Sequence, residues 1–131
     1  MIVFVFFCLH WHLSVFCQTF FLHRYGAHRQ FTMSHRWERF FHLLTYLSQG
    51  SSFLHPRAYA ILHRMHHAYS DTPQDPHSPR YYPNVLKMMW ETKHRYDDFA
   101  YGRKQPDPRF GHATPSWPAL ERLSQNWVSR L

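Results

Sequence analysis

The sequence predicts an all-α protein that is embedded in a membrane and carries a cytosolic cap of histidine-rich helices. Residues 1–22 contain no Asp, Glu, Lys or Arg, and at about 1.5 Å per residue such a helix spans the roughly 30 Å hydrocarbon layer of a bilayer. Later apolar residues recur at helical spacing, and no stretch alternates strongly enough to predict a sheet. The 131 residues include 13 histidines, which makes a metal site the first expectation.

The N-terminal segment is interpreted as a transmembrane helix and not as a cleaved signal peptide. It has no basic start and no small-residue cleavage pattern, and its apolar run is too long. His10, His12 and Gln18 are polar for a lipid environment, so we expect them to face protein or an inner cavity in a structural role. Cys8 and Cys17 lie on opposite sides of a helix and are not expected to form a disulfide.

Positive charge begins abruptly after the predicted span, and its first members are Arg24, Arg29, Arg36 and Arg39. Such a bias marks the cytoplasmic side of a membrane, so we expect everything after Leu22 in the cytosol or at the inner membrane surface. The excess of 15 Lys and Arg over 8 Asp and Glu predicts an anionic neighbour such as lipid headgroups or a phosphorylated substrate. The uncharged apolar start argues against nucleic acid as that neighbour.

The next elements are two helices and a loop. Residues 40–54 are apolar but interrupted by Gly50–Ser52, which predicts a buried or interfacial helix and not a second span. Pro56 suits the first turn of a new helix, and residues 58–69 contain no helix breaker. Four prolines between Asp71 and Pro83 exclude a regular helix or central strand there, so an ordered loop is expected.

The last third is predicted to hold an amphipathic helix over 85–101, a loop over 102–115 and a C-terminal helix. Ser116 is placed to cap that last helix, with Pro118 in its first turn. Its apolar stripe consists of Leu120, Leu123, Trp127 and Leu131. The stripe is still running at the last residue, and the first residue opens directly into membrane-type sequence, so both ends are expected to be cut.

The densest histidine pattern is His-x-x-His-His, formed by His63, His66 and His67. Offsets of three and four bring side chains onto one face of a helix, within reach of a common ion. A solvated polar face would account for one or two of these imidazoles but not for three, so a metal half-site is favoured.

A second histidine pair, His23 and His28, lies where the predicted span emerges into the cytosol. An offset of five separates two side chains by about 140° on a regular helix. Both can therefore join one site only from two sides of it, or if the helix deforms near Gly26. The pair alone is weak support for a metal site, whereas two clusters about forty residues apart, both after a membrane exit, are far more specific.

Together the clusters resemble the first two histidine boxes of the integral-membrane fatty acid desaturases of the acyl-CoA desaturase type. The first box corresponds to His-Arg-Tyr-Gly-Ala-His at 23–28 and the second to His-Arg-Met-His-His at 63–67. The resemblance continues through Ala-Tyr-Ser-Asp-Thr to Asp75-Pro76-His77, so that it covers 20–77. It implies that 1–131 is part of a desaturase domain, with a transmembrane helix at 1–22, a histidine-box region at 23–101, and a loop with an amphipathic helix at 102–131.

The resemblance implies iron as the cofactor, with two ions in the complete protein bound by neutral imidazoles. The residues that it assigns as ligands are His23, His28, His63, His66 and His67. No catalytic residue beyond these ligands and no substrate-binding residue is assigned. The family has a third His-x-x-His-His box, which does not occur after His67 because the remaining histidines, His77, His94 and His112, are isolated. The chain alone is therefore expected to be inactive, and the complete protein to be the enzyme.

The expected reaction is the oxygen-dependent introduction of a double bond into a fatty acyl chain, with acyl-CoA as the expected substrate. Membrane lipid is a further expected partner. The sequence has no Gly-x-Gly-x-x-Gly turn for a dinucleotide and no cysteine set for an iron–sulfur cluster. Electrons are therefore expected from an external donor such as a cytochrome b5-like or ferredoxin-type carrier.

Two alternatives stay open. A membrane di-iron hydroxylase or monooxygenase uses the same box system, although the Asp75-Pro76-His77 loop favours the desaturase. A non-catalytic membrane protein could hold a structural or buffered metal with the same histidines. A zinc hydrolase is disfavoured because the second cluster lacks the glutamate of His-Glu-x-x-His, which would serve as general base.

Overall fold

The computed structural model describes residues 1–130, and these form helices and turns without any strand, which confirms the all-α prediction. A π-helical segment, Gln18–Ala27, follows directly on the first α-helix. The α-helices are α1 Ile2–Cys17, α2 His35–Gln49, α3 Pro56–Tyr69, α4 Val85–Ala100, α5 Pro108–Gly111 and α6 Pro118–Gln125. Short 3₁₀ turns lie at Gly50–Ser52, Pro79–Tyr81 and Trp127–Arg130.

Helix α1 and the π-helical segment form one uninterrupted helix, Ile2–Ala27, of 26 residues. By length and composition it can cross a membrane, and it is the one helix within residues 1–130 that meets this condition. Most side chains of α1 are exposed, including Phe4 and Trp11. The predicted span ended at residue 22, whereas the helix continues for five more residues, as far as Ala27. Its position in a membrane stays a prediction.

Within residues 1–130, His12 and Gln18 are exposed, so none of these residues covers them, and the expectation that they face protein stays a prediction. The Nδ1 atom of His12 lies 2.7 Å from the carbonyl oxygen of Cys8. The helix backbone itself thus provides a polar partner for this imidazole, and no facing protein is required. His10 is half-buried and stacks on Phe6 with 5.8 Å between ring centroids. Both cysteines are free, as predicted.

Helix α2 begins at His35, five residues before the predicted apolar stretch. The prediction followed apolar residues and therefore missed the first turn of the helix, which is mostly polar. It ends where Gly50 adopts a φ of +52°, a left-handed conformation that side chains other than glycine's disfavour. The predicted interruption at Gly50–Ser52 is therefore confirmed as a 3₁₀ turn.

The polarity of α2 is inverted relative to a helix on the surface of a water-soluble protein. Its buried residues are His42, Thr45 and Ser48. Its exposed side chains are polar only near its start, at His35, Arg36 and Arg39. The other exposed side chains are apolar, namely Trp37, Phe40, Leu43 and Leu47. A helix in water turns its apolar stripe toward the core, so the outer face of α2 suits an apolar surrounding.

Helix α3 occupies the centre of the fold and packs against the π-helical segment, α4 and α5. Pro56 stands in its first turn, as predicted. Its buried side chains include Ala58, Ala60 and Ile61, and the small alanines let neighbouring helices approach closely. Phe21 of the π-helical segment, which is fully buried, belongs to the same core.

The predicted loop over 71–83 and the helix that follows it are confirmed, and α4 ends within one residue of the predicted boundary. The side chain of Asn84 caps α4 by accepting a hydrogen bond of 2.8 Å from the backbone N–H of Lys87. Within the predicted loop over 102–115 the structure contains the one-turn helix α5, which Asp107 caps through the N–H of Arg109 at 3.0 Å.

The prediction of Ser116 as the cap of the last helix is wrong, since α6 has Trp117 at its N-cap position. The carboxylate of Glu121 accepts a hydrogen bond of 2.9 Å from the backbone N–H of Trp117 and so satisfies that donor. The predicted apolar stripe is not one buried face, because Leu120 is buried whereas Leu123 and Trp127 are exposed. Leu131 lies outside the described residues.

Candidate metal centre

The π-helical segment brings the first histidine pair together. The backbone N–H of His28 donates to the carbonyl of His23 at 2.9 Å, which is the i→i+5 bond of a π-helix. Such a helix turns less per residue than an α-helix, so residues five apart lie near the same face. The two Nε2 atoms are 3.2 Å apart. The deformation expected near Gly26 is therefore present, although it extends over all of Gln18–Ala27.

Helix α3 presents the second set. His63 and His67 lie one α-helical turn apart, and their Nε2 atoms are separated by 3.0 Å. The ring of His63 also stacks on that of Tyr59, with 5.6 Å between centroids. This regular i,i+4 pairing is the one that the sequence pattern predicts.

The two sets meet at His28 and His63, whose Nε2 atoms are 2.9 Å apart. The ligand atoms of His23, His28 and His63 all lie within 4.8 Å of one another. With His67 they form a group of converging ring nitrogens, which we call the imidazole cluster. The structure thus brings together residues from both predicted boxes.

The donor set of the imidazole cluster fits a metal ion. Two imidazole nitrogens that bind one ion at right angles, each at about 2.0–2.1 Å, lie about 3.0 Å from each other, which matches the spacing in the cluster. Burial, followed by the charges of His23 and His67, lowers the pKa of His63 to about 3. Burial and the neighbouring His23 also lower the pKa of His28. Both rings are therefore neutral at physiological pH, which is the form that binds metals.

His66 does not join the imidazole cluster in the same way. Its Nδ1 atom lies 3.0 Å from both carboxylate oxygens of Asp75. Its ring stacks on His77 at 4.1 Å between centroids and is 5.7 Å from the ring of His67. Its Nε2 atom is not engaged by that carboxylate, so His66 can still offer a nitrogen to an ion beside His67.

The buried carboxylate of Asp75 accepts hydrogen bonds from three groups. Besides His66, the backbone N–H groups of Asp71 and His77 donate to it, at 3.1 and 3.0 Å. Burial raises the pKa of Asp75, but these hydrogen bonds outweigh burial and the net shift is downward. A carboxylate on the Nδ1 atom of a histidine is the usual arrangement by which proteins orient a metal-binding imidazole.

The sequence patterns did not predict the part that Asp75 and His77 take in this region. His77 is isolated in the sequence, but in the structure its ring stacks on His66, and His66, Asp75 and His77 form a second group of possible ligand atoms. The available signal was the Asp-Pro-His sequence that follows the second box. His94 and His112 are exposed, and the Nδ1 atom of each ring bonds to a carbonyl four residues earlier in the chain.

A cavity of about 600 Å³ lies between α3 and α4 and reaches His63. Its lining is mostly apolar and aromatic and includes Phe53, Leu54, Tyr59, Leu62, Met88, Met89, Tyr96 and Ala100. His77 and Thr92 also border it. The cavity was not predicted, because it depends on how two helices pack and not on any local pattern.

The fold and the cluster define the described chain as an all-α protein with a candidate centre of histidine nitrogens beside an apolar cavity. No protein-family profile matches the chain. No solved structure matches it either.

The chain is similar to the hex-5-enoyl-[acyl-carrier protein] acetylenase of Moorena producens (strain JHB). The two are 31% identical over 105 residues, which cover 70% of this chain and 31% of that enzyme. The chain therefore spans about a third of the length of the curated relative that it matches. The similarity supports the coarse expectation of an enzyme that modifies fatty acyl chains.

Proposed function

We propose that the full-length protein is an oxygen-dependent di-iron desaturase that introduces a double bond into a fatty acyl chain. The observation that carries this proposal is the convergence of the His28 and His63 Nε2 atoms to 2.9 Å at the edge of an apolar cavity. The similarity to an acetylenase agrees with it, because an acetylenase, like a desaturase, removes hydrogens from adjacent carbons of an acyl chain.

All five histidines bind iron in this proposal, and one of them, His66, is also oriented by a carboxylate. His23, His28, His63 and His67 hold iron through the nitrogens of the imidazole cluster. His66 uses its Nε2 atom, while Asp75 holds its Nδ1–H and fixes the plane of the ring. Bound iron would supply the oxidising power that breaking an unactivated C–H bond requires and that no side chain provides.

The cavity between α3 and α4 binds the acyl chain in this proposal. Its wall offers apolar side chains to the methylenes, and one part of it borders His63, so that carbon atoms bound there would lie beside the cluster. Coenzyme A is the carrier expected from the family resemblance, whereas the name of the relative indicates acyl carrier protein. Both carriers present the chain as a thioester, and assays with the two acyl donors decide between them.

Membrane attachment is part of the proposal, with the histidines on the cytosolic side. The exposed apolar surface of α1 and the outward apolar face of α2 support it, because both suit contact with lipid. The arginines that follow α1 support the cytosolic side. Electrons come from an external carrier in this proposal.

A hydroxylase with the same ligands is the second candidate, and the products distinguish the two enzymes. A non-catalytic metal-binding protein is less well supported, because His28 and His67 are exposed and the neighbouring His63 borders a cavity of about 600 Å³. A structural metal site is normally closed by its ligands.

The test is expression of the full-length protein, with analysis of fatty acid products and of bound iron. We expect an alkene product that His63→Ala and His28→Ala abolish, together with a loss of iron. His94→Ala is the matched control, since that histidine is exposed and outside the cluster, and it should behave as wild type. An alcohol as the main product would favour the hydroxylase, and full iron content in both cluster variants would refute the metal centre.

A further inference from the structure

The guanidinium group of Arg64 joins two separate segments behind the imidazole cluster. Its Nε and Nη2 atoms donate to the carbonyls of Ala27 and Gly26, at 2.8 and 2.9 Å. Its Nη1 atom donates to the carbonyls of Phe110 and His112, at 2.8 and 2.7 Å. One side chain thus binds the end of the π-helical segment and the segment around α5 at the same time.

The backbone explains why such a donor is needed there. The last carbonyls of a helix have no partner within the helix, and Gly26 and Ala27 stand at the end of the π-helical segment, where both are buried. A guanidinium is planar and presents its N–H donors as a fixed fork, so it can satisfy several carbonyls that lie in different directions. A lysine ammonium keeps the charge but cannot reproduce that fork.

The position of Arg64 couples these bonds to the cluster. Arg64 follows His63 directly on α3, and Ala27 precedes His28 directly at the end of the π-helical segment. The bond between Arg64 and Ala27 therefore joins the immediate sequence neighbours of His63 and His28. The Nε2 atoms of these two histidines are 2.9 Å apart. If α3 slid against the π-helical segment, both contacts would break together.

We propose that Arg64 is a positioning residue that sets the spacing between His28 and His63 and so determines the metal affinity of the cluster. The inference rests on the proposed function in one respect, namely that the cluster binds a metal. Four hydrogen bonds engage Nε, Nη1 and Nη2 of Arg64 with backbone carbonyls. Arg64 is thus committed to protein backbone and is not the group that meets a lipid or carrier phosphate.

The test is titration of the metal-depleted full-length protein in detergent with Co²⁺, whose visible absorption reports the coordination geometry. We expect Arg64→Lys to lower the Co²⁺ affinity by about 10- to 100-fold, the usual effect of losing an outer partner of a metal site, and to change the absorption bands. Arg57→Lys, on the same helix but away from the cluster, is the matched control and should leave both unchanged.

A second variant separates positioning from general damage to the fold. Arg64→Ala should lose Co²⁺ affinity, and millimolar guanidinium, too dilute to denature, should restore part of it by filling the vacated space. Limited proteolysis of the Arg64 variants should also cleave faster between residues 102 and 115, because the carbonyls of Phe110 and His112 lose their donor.

The outcomes distinguish this inference from the proposed function. Wild-type Co²⁺ affinity and absorption in Arg64→Lys, with loss of binding in His63→Ala, would overturn the role of Arg64 and leave the metal centre standing. Equal losses of Co²⁺ affinity in the Arg64→Lys and Arg57→Lys variants would also overturn it, since the effect would then not be specific to the guanidinium group of Arg64. Normal binding in His63→Ala would instead refute the metal centre itself.

Discussion

The Nε2 atoms of His28 and His63 lie 2.9 Å apart, although 35 residues of chain separate the two histidines. The contact depends on two conditions at once. The π-helical segment must turn His28 toward α3, and α3 must be held at the end of that segment. The first condition is a backbone hydrogen-bond pattern and the second is a set of tertiary contacts, so they can be tested by different substitutions.

The π-helical geometry near His28 predicts that Gly26→Ala weakens metal binding. A Cβ atom at this position would lie 3.2 Å from the carbonyl oxygen of Phe21 and 3.4 Å from Cγ of Pro115. Alanine also favours a regular α-helix over glycine by about 1 kcal/mol. We expect a several-fold lower Co²⁺ affinity because an α-helical turn would move His28 away from His23.

Gly102→Ala is the control for this substitution. Gly102 has a φ of +67° in a turn with open space around it, so alanine there costs stability without touching the cluster. It should lower the unfolding midpoint and leave the Co²⁺ affinity unchanged. If Gly26→Ala binds Co²⁺ as the wild type does, the π-helical geometry is not what sets the affinity.

The buried carboxylate of Asp75 predicts a loss of both stability and metal affinity in Asp75→Asn. The wild-type carboxylate accepts from His66 and from the backbone N–H groups of Asp71 and His77. An amide directs its own N–H₂ group at one of these donors, and a buried donor without a partner costs about 1–3 kcal/mol. Urea unfolding and Co²⁺ titration measure the two effects.

Asp98→Asn is the control, because Asp98 pairs with the largely exposed Lys104 at 2.6 Å and a surface pair contributes about 0–1 kcal/mol. If Asp75→Asn is as stable as Asp98→Asn and binds Co²⁺ normally, the carboxylate does not orient His66.

Local rules could predict part of this site from the sequence. The pairing of His63 with His67 follows from α-helical periodicity, which acts over four residues and needs no tertiary structure. The first turn of α3 followed in the same way from Pro56. His23 and His28 required a deformed helix, and the sequence could indicate that deformation near Gly26 but not its length.

Tertiary contacts account for what the sequence could not predict. The pattern placed His66 with the other ligands, but its Nδ1 atom faces Asp75, which the loop after α3 brings back against the helix. The N-cap of α6 is Trp117 and not Ser116, and the carboxylate of Glu121 accepts the hydrogen bond from the N–H of Trp117. The hydrogen bonds of Arg64 have no sequence signature at all.

The burial of His42 predicts a pH dependence of stability. His42 is 1% exposed, and its Nε2 atom has no hydrogen-bond partner. Burial, and to a smaller extent the charge of His55, lowers the pKa of His42 to about 4. The unfolded chain therefore takes up a proton below the ordinary value near 6.5 while the folded chain stays neutral, so folding stability falls as the pH drops from about 6.5 to about 4.

We expect His42→Phe to flatten this dependence, because phenylalanine does not titrate and fits among the rings of Phe21 and Phe53. A single such group contributes a slope of up to about 1.4 kcal/mol per pH unit. Urea unfolding of the metal-free protein between pH 4 and pH 7 measures it. His112→Phe is the control at an exposed histidine, and equal slopes in the wild type and His42→Phe would contradict the assignment.

The proposed topology predicts that the loop after α3 faces the cytosol. Gln74 is exposed on that loop, so Gln74→Cys, in a full-length background from which every other cysteine, including Cys8 and Cys17, has been replaced by alanine, reports the side of the membrane. A membrane-impermeant maleimide should label this cysteine only after the cells are permeabilised. Labelling in intact cells would place the histidines on the opposite side and contradict the positive-inside interpretation.

The cavity between α3 and α4 predicts that Ala100→Leu shifts chain-length preference toward shorter acyl chains. Helices α3 and α4 run in opposite directions, since the hydroxyl of Tyr96 binds the N–H of His55 at one end and Thr92 binds the carbonyl of Pro76 at the other. Ala100 therefore lies toward the start of α3, at the end of the cavity remote from the imidazole cluster.

That end of the cavity lies about 12 Å from His63 along α3, at the helical rise of about 1.5 Å per residue. Ala100→Leu should displace the methylenes of a long acyl chain from the apolar wall. Each displaced methylene should lower kcat/KM for that chain by about fourfold, because burying a methylene stabilises by about 0.8 kcal/mol. Ala119→Leu makes the same change at an exposed position on α6 and should have no effect. Competition assays with acyl chains of different lengths measure the shift, and an unchanged profile in Ala100→Leu would show that the acyl chain binds elsewhere.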